Sequence, residues 1–119
     1  MTEIQNGNQE FVDVALTVLD HLEGDDFHPE AVDAALRLLS DRRRRLFLEV
    51  VTAYEEELTL ADAAEAVAER EAGRSVVELS PERIKEVYIS LYHDHLPRLL
   101  EAGLLEYEQE RDLVSPGYL

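Results

Sequence analysis

Apolar residues along the chain fall into short helical periods separated by glycine, proline and acidic breaks. Phe11, Val14, Ala15, Val18, Leu19 and Leu22 recur at helical spacing with Asp13, Asp20 and Glu23 between them, which predicts a helix of about three to four turns ended by Gly24-Asp25-Asp26. His28-Pro29-Glu30 restarts the pattern, Pro29 suiting a first helical turn, and Val32, Ala35, Leu36 and Leu39 form the stripe of a second helix that stops near Ser40. Ser40 is the expected N-cap of a third helix, with Leu46, Phe47, Val50, Val51 and Tyr54 on its buried side and Glu55-Glu56-Glu57 at its end. Thr59 with Asp62 opens a fourth helix whose stripe, Leu60, Ala63, Ala64, Val67 and Ala68, is small enough for close approach to a neighbour, and Gly73 is its expected stop.

Val76, Val77 and Leu79 read as a short extended connection. Ser80-Pro81-Glu82 then gives cap, proline and acid in the order that starts a helix, with Ile84, Val87, Tyr88 and Leu91 as its buried face. Pro97 lies inside the continuing pattern Leu96, Leu99, Leu100, and its missing N–H predicts a kink or break around His93 to Leu96. After Gly103, Leu104 to Tyr107 reads as a strand, Glu108 to Arg111 as a polar turn and Asp112 to Ser115 as a returning strand, with Pro116-Gly117 ending regular structure. The expected fold is mainly α: a winged helix-turn-helix, with a three-helix core, a C-terminal β-hairpin wing and additional N-terminal helices. Residues 1–28 are assigned to an acidic N-terminal helix and 29–119 to the winged-helix domain.

The chain has 119 residues and a mass of 13.6 kDa, the size of one domain, and its 45% hydrophobic content suffices for a packed core. Charge changes the picture more. Against 27 Asp and Glu stand 11 basic residues, ten Arg and Lys85, for a net charge of -16. That balance excludes the broadly basic surface of a sequence-independent nucleic-acid binder. Residues 1–36 hold nine acids and no Lys or Arg, so every cation lies in the second zone. The absence of Cys excludes disulfides, thiolate metal sites and cysteine nucleophiles. The first residues lack the basic and apolar regions of a signal peptide, and no stretch is long enough to span a bilayer, so a cytoplasmic protein is expected.

Two stretches carry a resemblance. His95-Leu96-Pro97-Arg98-Leu99-Leu100-Glu101-Ala102-Gly103-Leu104-Leu105 resembles the passage in which the recognition helix of ArsR-like winged-helix regulators runs into the wing. Leu39-Ser40-Asp41-Arg42-Arg43-Arg44-Arg45-Leu46, with Val87 to Pro97, is similar to a haloarchaeal winged helix-turn-helix family of unknown function. The resemblance covers about residues 32 to 115 and implies the fold more firmly than the function, because winged helices also serve as protein-binding modules. An acidic surface also suits molar salt, which shortens the Debye length to about 3 Å and mutes self-repulsion.

The expected function is a DNA-binding transcriptional regulator of a halophilic archaeon, acting as a homodimer through a recognition helix around 81–96 and a wing around 104–115. Arg83, Lys85, Ser90 and Arg98 lie off the apolar stripe and are the candidates to reach DNA. Arg42, Arg43, Arg44 and Arg45 would grip the backbone, and Arg111 would act from the wing. Glu82, Glu86 and Asp94 on the same helix oppose this. Phe11, Val14, Val18 and Leu22 form the candidate dimerisation face, the alternatives being that this helix folds back as an extra layer on its own core or, in the adaptor reading, meets a protein partner. The other function is a winged-helix adaptor that binds a protein and no DNA. Placement of the cations separates the two: one shared surface favours DNA, individual neutralisation by Glu and Asp favours the adaptor. His93 and His95 lie about 200° apart on a regular helix, so no metal is expected there. With no glycine-rich phosphate loop and no nucleophile paired with a base, neither an enzyme nor a cofactor is expected.

Overall fold

The computed structural model describes residues 29–54 and 56–117. Over that range helix α1 (Pro29–Leu38) is followed by α2 (Arg42–Ala53), the two-residue strand β1 (Leu58–Thr59), α3 (Leu60–Ala72), a single 3₁₀ turn (Val76–Glu78) and α4 (Pro81–Ser90). A π-helical turn (Leu91–His95) leads without a break into α5 (Leu96–Glu101), and the hairpin β2 (Leu105–Glu108) and β3 (Leu113–Pro116) follows. The molecule is mainly helical with a small three-stranded antiparallel sheet, and no described helix is long and apolar enough to cross a membrane.

Local chemistry accounts for most helix ends. The Thr59 hydroxyl accepts the Asp62 amide at 3.0 Å and starts α3, and the Ser80 hydroxyl accepts the Arg83 amide at 3.1 Å and starts α4 behind Pro81. Gly73 closes α3 in the left-handed region at φ 68°. The cap of α2 differs from expectation: Asp41, one residue after Ser40, accepts the Arg44 amide at 3.0 Å. Ser40 instead donates its hydroxyl to the Arg37 carbonyl at the end of α1. A carboxylate is the better charge beside a helix N-terminus, and here it sits beside four arginines.

Three helices enclose the core. Phe47, Leu48, Val50 and Val51 of α2 meet Leu60, Ala63, Ala64, Val67 and Ala68 of α3, and Val87, Leu91, Leu96 and Leu99 close the other side. The alanines keep α3 thin, which lets α2 and α4 both approach it. Two positions expected to be buried are not. Leu36 is 60% exposed and Tyr54 47%, because α1 and the residue after it meet the core through Ala35, Leu38 and Leu39, and α2 ends at Ala53 before Tyr54 can turn inward. The expected extended segment at Val76–Leu79 is a 3₁₀ turn with Val77 exposed, its first residues held by the Ser75 hydroxyl and the Glu69 carboxylate.

Pro97 produces no break. The Leu96 amide donates to the Leu91 carbonyl, five residues back, so the widened turn makes room for the proline ring and α5 continues. In the sheet β3 is central, with Val114 opposite Leu58 on one side and Tyr107 on the other. Strand β1 escapes sequence reasoning because two residues carry no period. The hairpin strands are each shifted one residue later than expected, and Pro116 pairs with Leu105 at the sheet end. Next to it, a Cβ on Gly117 would lie 2.7 Å from the Gly103 carbonyl oxygen and 3.1 Å from the Leu105 backbone. Gly117→Ala is therefore expected to pry open the base of the hairpin and cost about 1–3 kcal/mol, read as a lower chemical-denaturation midpoint with an unchanged slope.

Candidate functional site

The N-terminal half of α4 is tied down from behind by charge. Glu71, in the last turn of α3, has a side chain only 9% exposed and accepts from Nε and Nη2 of Arg43, the latter at 2.8 Å, and from Nη2 of Arg83 at 3.1 Å. Arg43 extends the chain of charges to Glu86 through Nη1 at 2.9 Å. Alternating charges thus join α2, α3 and α4. Burial alone would push the Glu71 carboxyl up, but hydrogen bonds from Arg43 and Arg83 and their positive charge outweigh it and hold it below the usual carboxylate range. The Arg43 guanidinium is correspondingly raised by its bond to Glu71, against desolvation.

Arg44 points elsewhere. It is 9% exposed, donates Nε to His95 Nδ1 at 3.2 Å and Nη1 to the Arg37 and Leu38 carbonyls, both at 3.2 Å. This contact joins the end of α1, the start of α2 and the π turn. His95 is itself buried at 3%, and burial is the main reason its pKa falls; Asp41 and Asp94, each with an oxygen 3.8 Å from Nε2, oppose that, while Arg44 and Arg43 add to it. His93 is exposed and edge-on to Tyr92. Among the described residues no group of three or more His, Asp or Glu is placed to hold a metal.

The expected site residues divide accordingly. Consecutive residues on a helix fan out by about 100°, so Arg42, Arg43, Arg44 and Arg45 form no common grip. Arg42 faces outward, Arg43 reaches α3 and α4, Arg44 is buried, and Arg45 donates to the Leu39 carbonyl at 2.6 Å. Arg83 is drawn back to Glu71. Lys85 and Ser90 lie on the outer face of α4, where they line a shallow hollow of about 320 Å³ with Glu82, Glu86 and Ile89, the last 45% exposed. Arg98, beyond the π turn, pairs with Asp94 at 2.8 Å, and Arg111 in the hairpin turn pairs with Glu108 at 2.6 Å. Among the described residues Arg42, Arg44, Arg74 and Lys85 have no ion-pair partner, and of these only Arg44 is buried. Phe11, Val14, Val18 and Leu22 lie outside the described residues.

Sequence reasoning missed Glu71 and Asp112. Asp112 adopts φ 57° and accepts hydrogen bonds from the hydroxyls of Tyr107 and, at 3.4 Å, Tyr88, while its carbonyl accepts the Leu60 amide at 2.9 Å. It thereby fixes the hairpin turn against α3 and α4. Burial and the Asp112 carboxylate raise both tyrosines above their ordinary pKa. The only advance signal for Asp112 was the tolerance of Asp for left-handed turn positions.

The fold and the charge network define a small helical domain with a hairpin and a polar helix face turned outward. Over residues 36–115 the chain matches the family described as domain of unknown function (DUF7344), and it belongs to that family. No curated protein and no solved structure matches it.

Two outcomes test the network. Glu71→Ala leaves Arg43 and Arg83 without their buried acceptor and is expected to cost about 2 kcal/mol, read by chemical denaturation, with Glu71→Gln recovering part of the loss. His95 has a folded pKa below its ordinary 6.5, so the unfolded chain takes up the proton first. Stability from this residue is complete above that value and is lost as the pH falls through the lowered one. His95→Gln is expected to flatten that limb of the stability profile; an unchanged limb would assign the acid sensitivity to other groups.

Proposed function

We propose that the chain is a winged-helix transcriptional regulator of a halophilic archaeon that binds double-stranded DNA as a homodimer, with α4 as the recognition helix and β2–β3 as the wing. The observation that carries the reading is the way α4 is used. It packs on α3 through Val87 and Leu91, follows the short turn after α3 and leads through α5 to a hairpin, while Glu82, Lys85, Ile89 and Ser90 face away from the core. A helix held from behind with a free polar face is what major-groove reading requires. Lys85 has no ion-pair partner, so binding need not first break one. The exposed pairs Arg98–Asp94 and Arg111–Glu108 exchange partners readily in water and leave both arginines available to phosphate.

A second reading is supported by the same network. Arg43 and Arg83 are neutralised within the protein, as expected of an adaptor that meets a protein through this face. Few free cations fit either case in molar salt, where counterion release contributes little and each neutralised phosphate steepens the salt dependence by about 0.9 in log–log slope.

Selection of the chain's own genomic fragments in molar KCl separates the readings. Enrichment of a palindrome with half-sites about one DNA turn, 34 Å, apart supports the dimeric regulator. A folded protein that enriches nothing supports the adaptor. Lys85→Ala is expected to weaken binding to the enriched site about tenfold with the melting temperature unchanged. Arg83→Ala is expected to lower both, since Arg83 also serves Glu71.

A further inference from the structure

Among the described residues Arg42 and Arg74 lack an ion-pair partner but are exposed, whereas Arg44 lacks one and is buried. Arg37, Arg43, Arg70, Arg83, Arg98 and Arg111 each stand beside a carboxylate, whereas the buried guanidinium of Arg44 meets three neutral acceptors, one imidazole nitrogen and two carbonyls. Among the described residues no carboxylate lies within ion-pairing distance of it, in a chain of net charge -16. Carbonyls at the end of α1 supply only partial negative charge, about half an elementary charge for a whole helix terminus. Asp94 feels the Arg44 charge through space, but no carboxylate bonds to the guanidinium, and a buried cation without a directly bonded counter-charge is costly.

The same side chain lines an open groove of about 640 Å³ between α1, the start of α2 and α5, together with Arg37, Ser40, Asp41, Arg98 and Glu101. Asp41 is already committed, its Oδ1 accepting the Arg44 amide as the cap of α2. Arg37 and Arg98 stand at the groove with side chains 76% and 60% exposed; Arg37 reaches Asp33 only at 4.0 Å, and Arg98 can exchange its solvent-exposed 2.8 Å pair with Asp94 for a bound anion. The other lining acid, Glu101, acts through its charge on the Arg98 guanidinium and selects against anions that approach from its side.

We propose that this groove binds a small molecule bearing an oxyanion, a phosphate or carboxylate, which supplies Arg44 with the missing counter-charge and is clamped by Arg37 and Arg98. The groove shares no residue with the outer face of α4, and Arg98 is the one residue it has in common with the proposed DNA contacts, so Arg37→Ala is the variant that tests the groove apart from DNA binding. Its volume is within the range of small-ligand sites, about 300–1,000 Å³, and exceeds what a lone phosphate fills, so the anionic group is one part of a larger molecule.

The test is an NMR titration of the full chain with inorganic phosphate in one arm and acetate in the other, at ionic strength held constant with KCl. Saturable shifts of the Arg44 side-chain N–H and the Ser40 and Asp41 amides are expected. Saturation by phosphate alone assigns a phosphate-bearing ligand, and by acetate alone a carboxylate. Arg37→Ala and Arg98→Ala, both at exposed side chains, are expected to keep the fold and weaken binding about tenfold each. Shifts that stay linear in both arms, or equal affinity in the wild type and both variants, overturn the proposal.

Discussion

One carboxylate holds the charged half of this fold together. Glu71 lies where α2, α3 and α4 converge, and without it Arg43 and Arg83 would face each other across a partly buried space. Repulsion at that junction would separate the helices that carry the core. Packing on the small stripe of Ala63, Ala64 and Ala68 sets how closely α3 is approached, and the carboxylate ties the last turn of α3 to the first turn of α4 through Arg83. Apolar packing supplies the cohesion and Glu71 the alignment.

That arrangement explains how an acidic chain can carry four consecutive arginines. Arg42 to Arg45 looked like a positive patch because sequence adjacency was taken for spatial adjacency. Helical geometry sends each to a different neighbour, and three of the four become internal connectors. The surplus of acid is therefore partly structural: Glu71, Glu86 and Asp41 serve the start of α2 from three directions. Molar salt weakens exposed pairs far more than one whose acceptor is 9% exposed, so the connection at Glu71 persists where surface pairs fade.

Much of the fold was legible in the sequence. Thr59, Gly73 and Ser80-Pro81 announce helix ends because caps act through neighbours three or four residues away, and the α3 stripe is readable because its period is clean. Strand β1 was invisible since its partner, β3, lies more than fifty residues later in the chain and two residues make no pattern. The site was less legible for the same reason at the level of side chains. Lys85 and Ser90 could be placed on an outward face from the period of α4 alone, but the capture of Arg83 by Glu71 and of Arg44 by His95 depends on contacts that only the folded chain creates. The proline was read as a kink or break around His93 to Leu96, and the chain takes it up at that place with a widened turn that keeps the helix continuous.

The π turn at Leu91–His95 amounts to one additional residue absorbed into an otherwise continuous helix. Everything beyond it is rotated by about 100° relative to the course an unbroken α-helix would take. Arg98 and Glu101 owe their place beside the end of α1 to that offset, whereas the hydrophobic positions before it would be untouched by its removal. A single-residue deletion within this turn would thus act as a rotary adjustment, re-aiming α5 and the hairpin while leaving α4 and its outward face where they are.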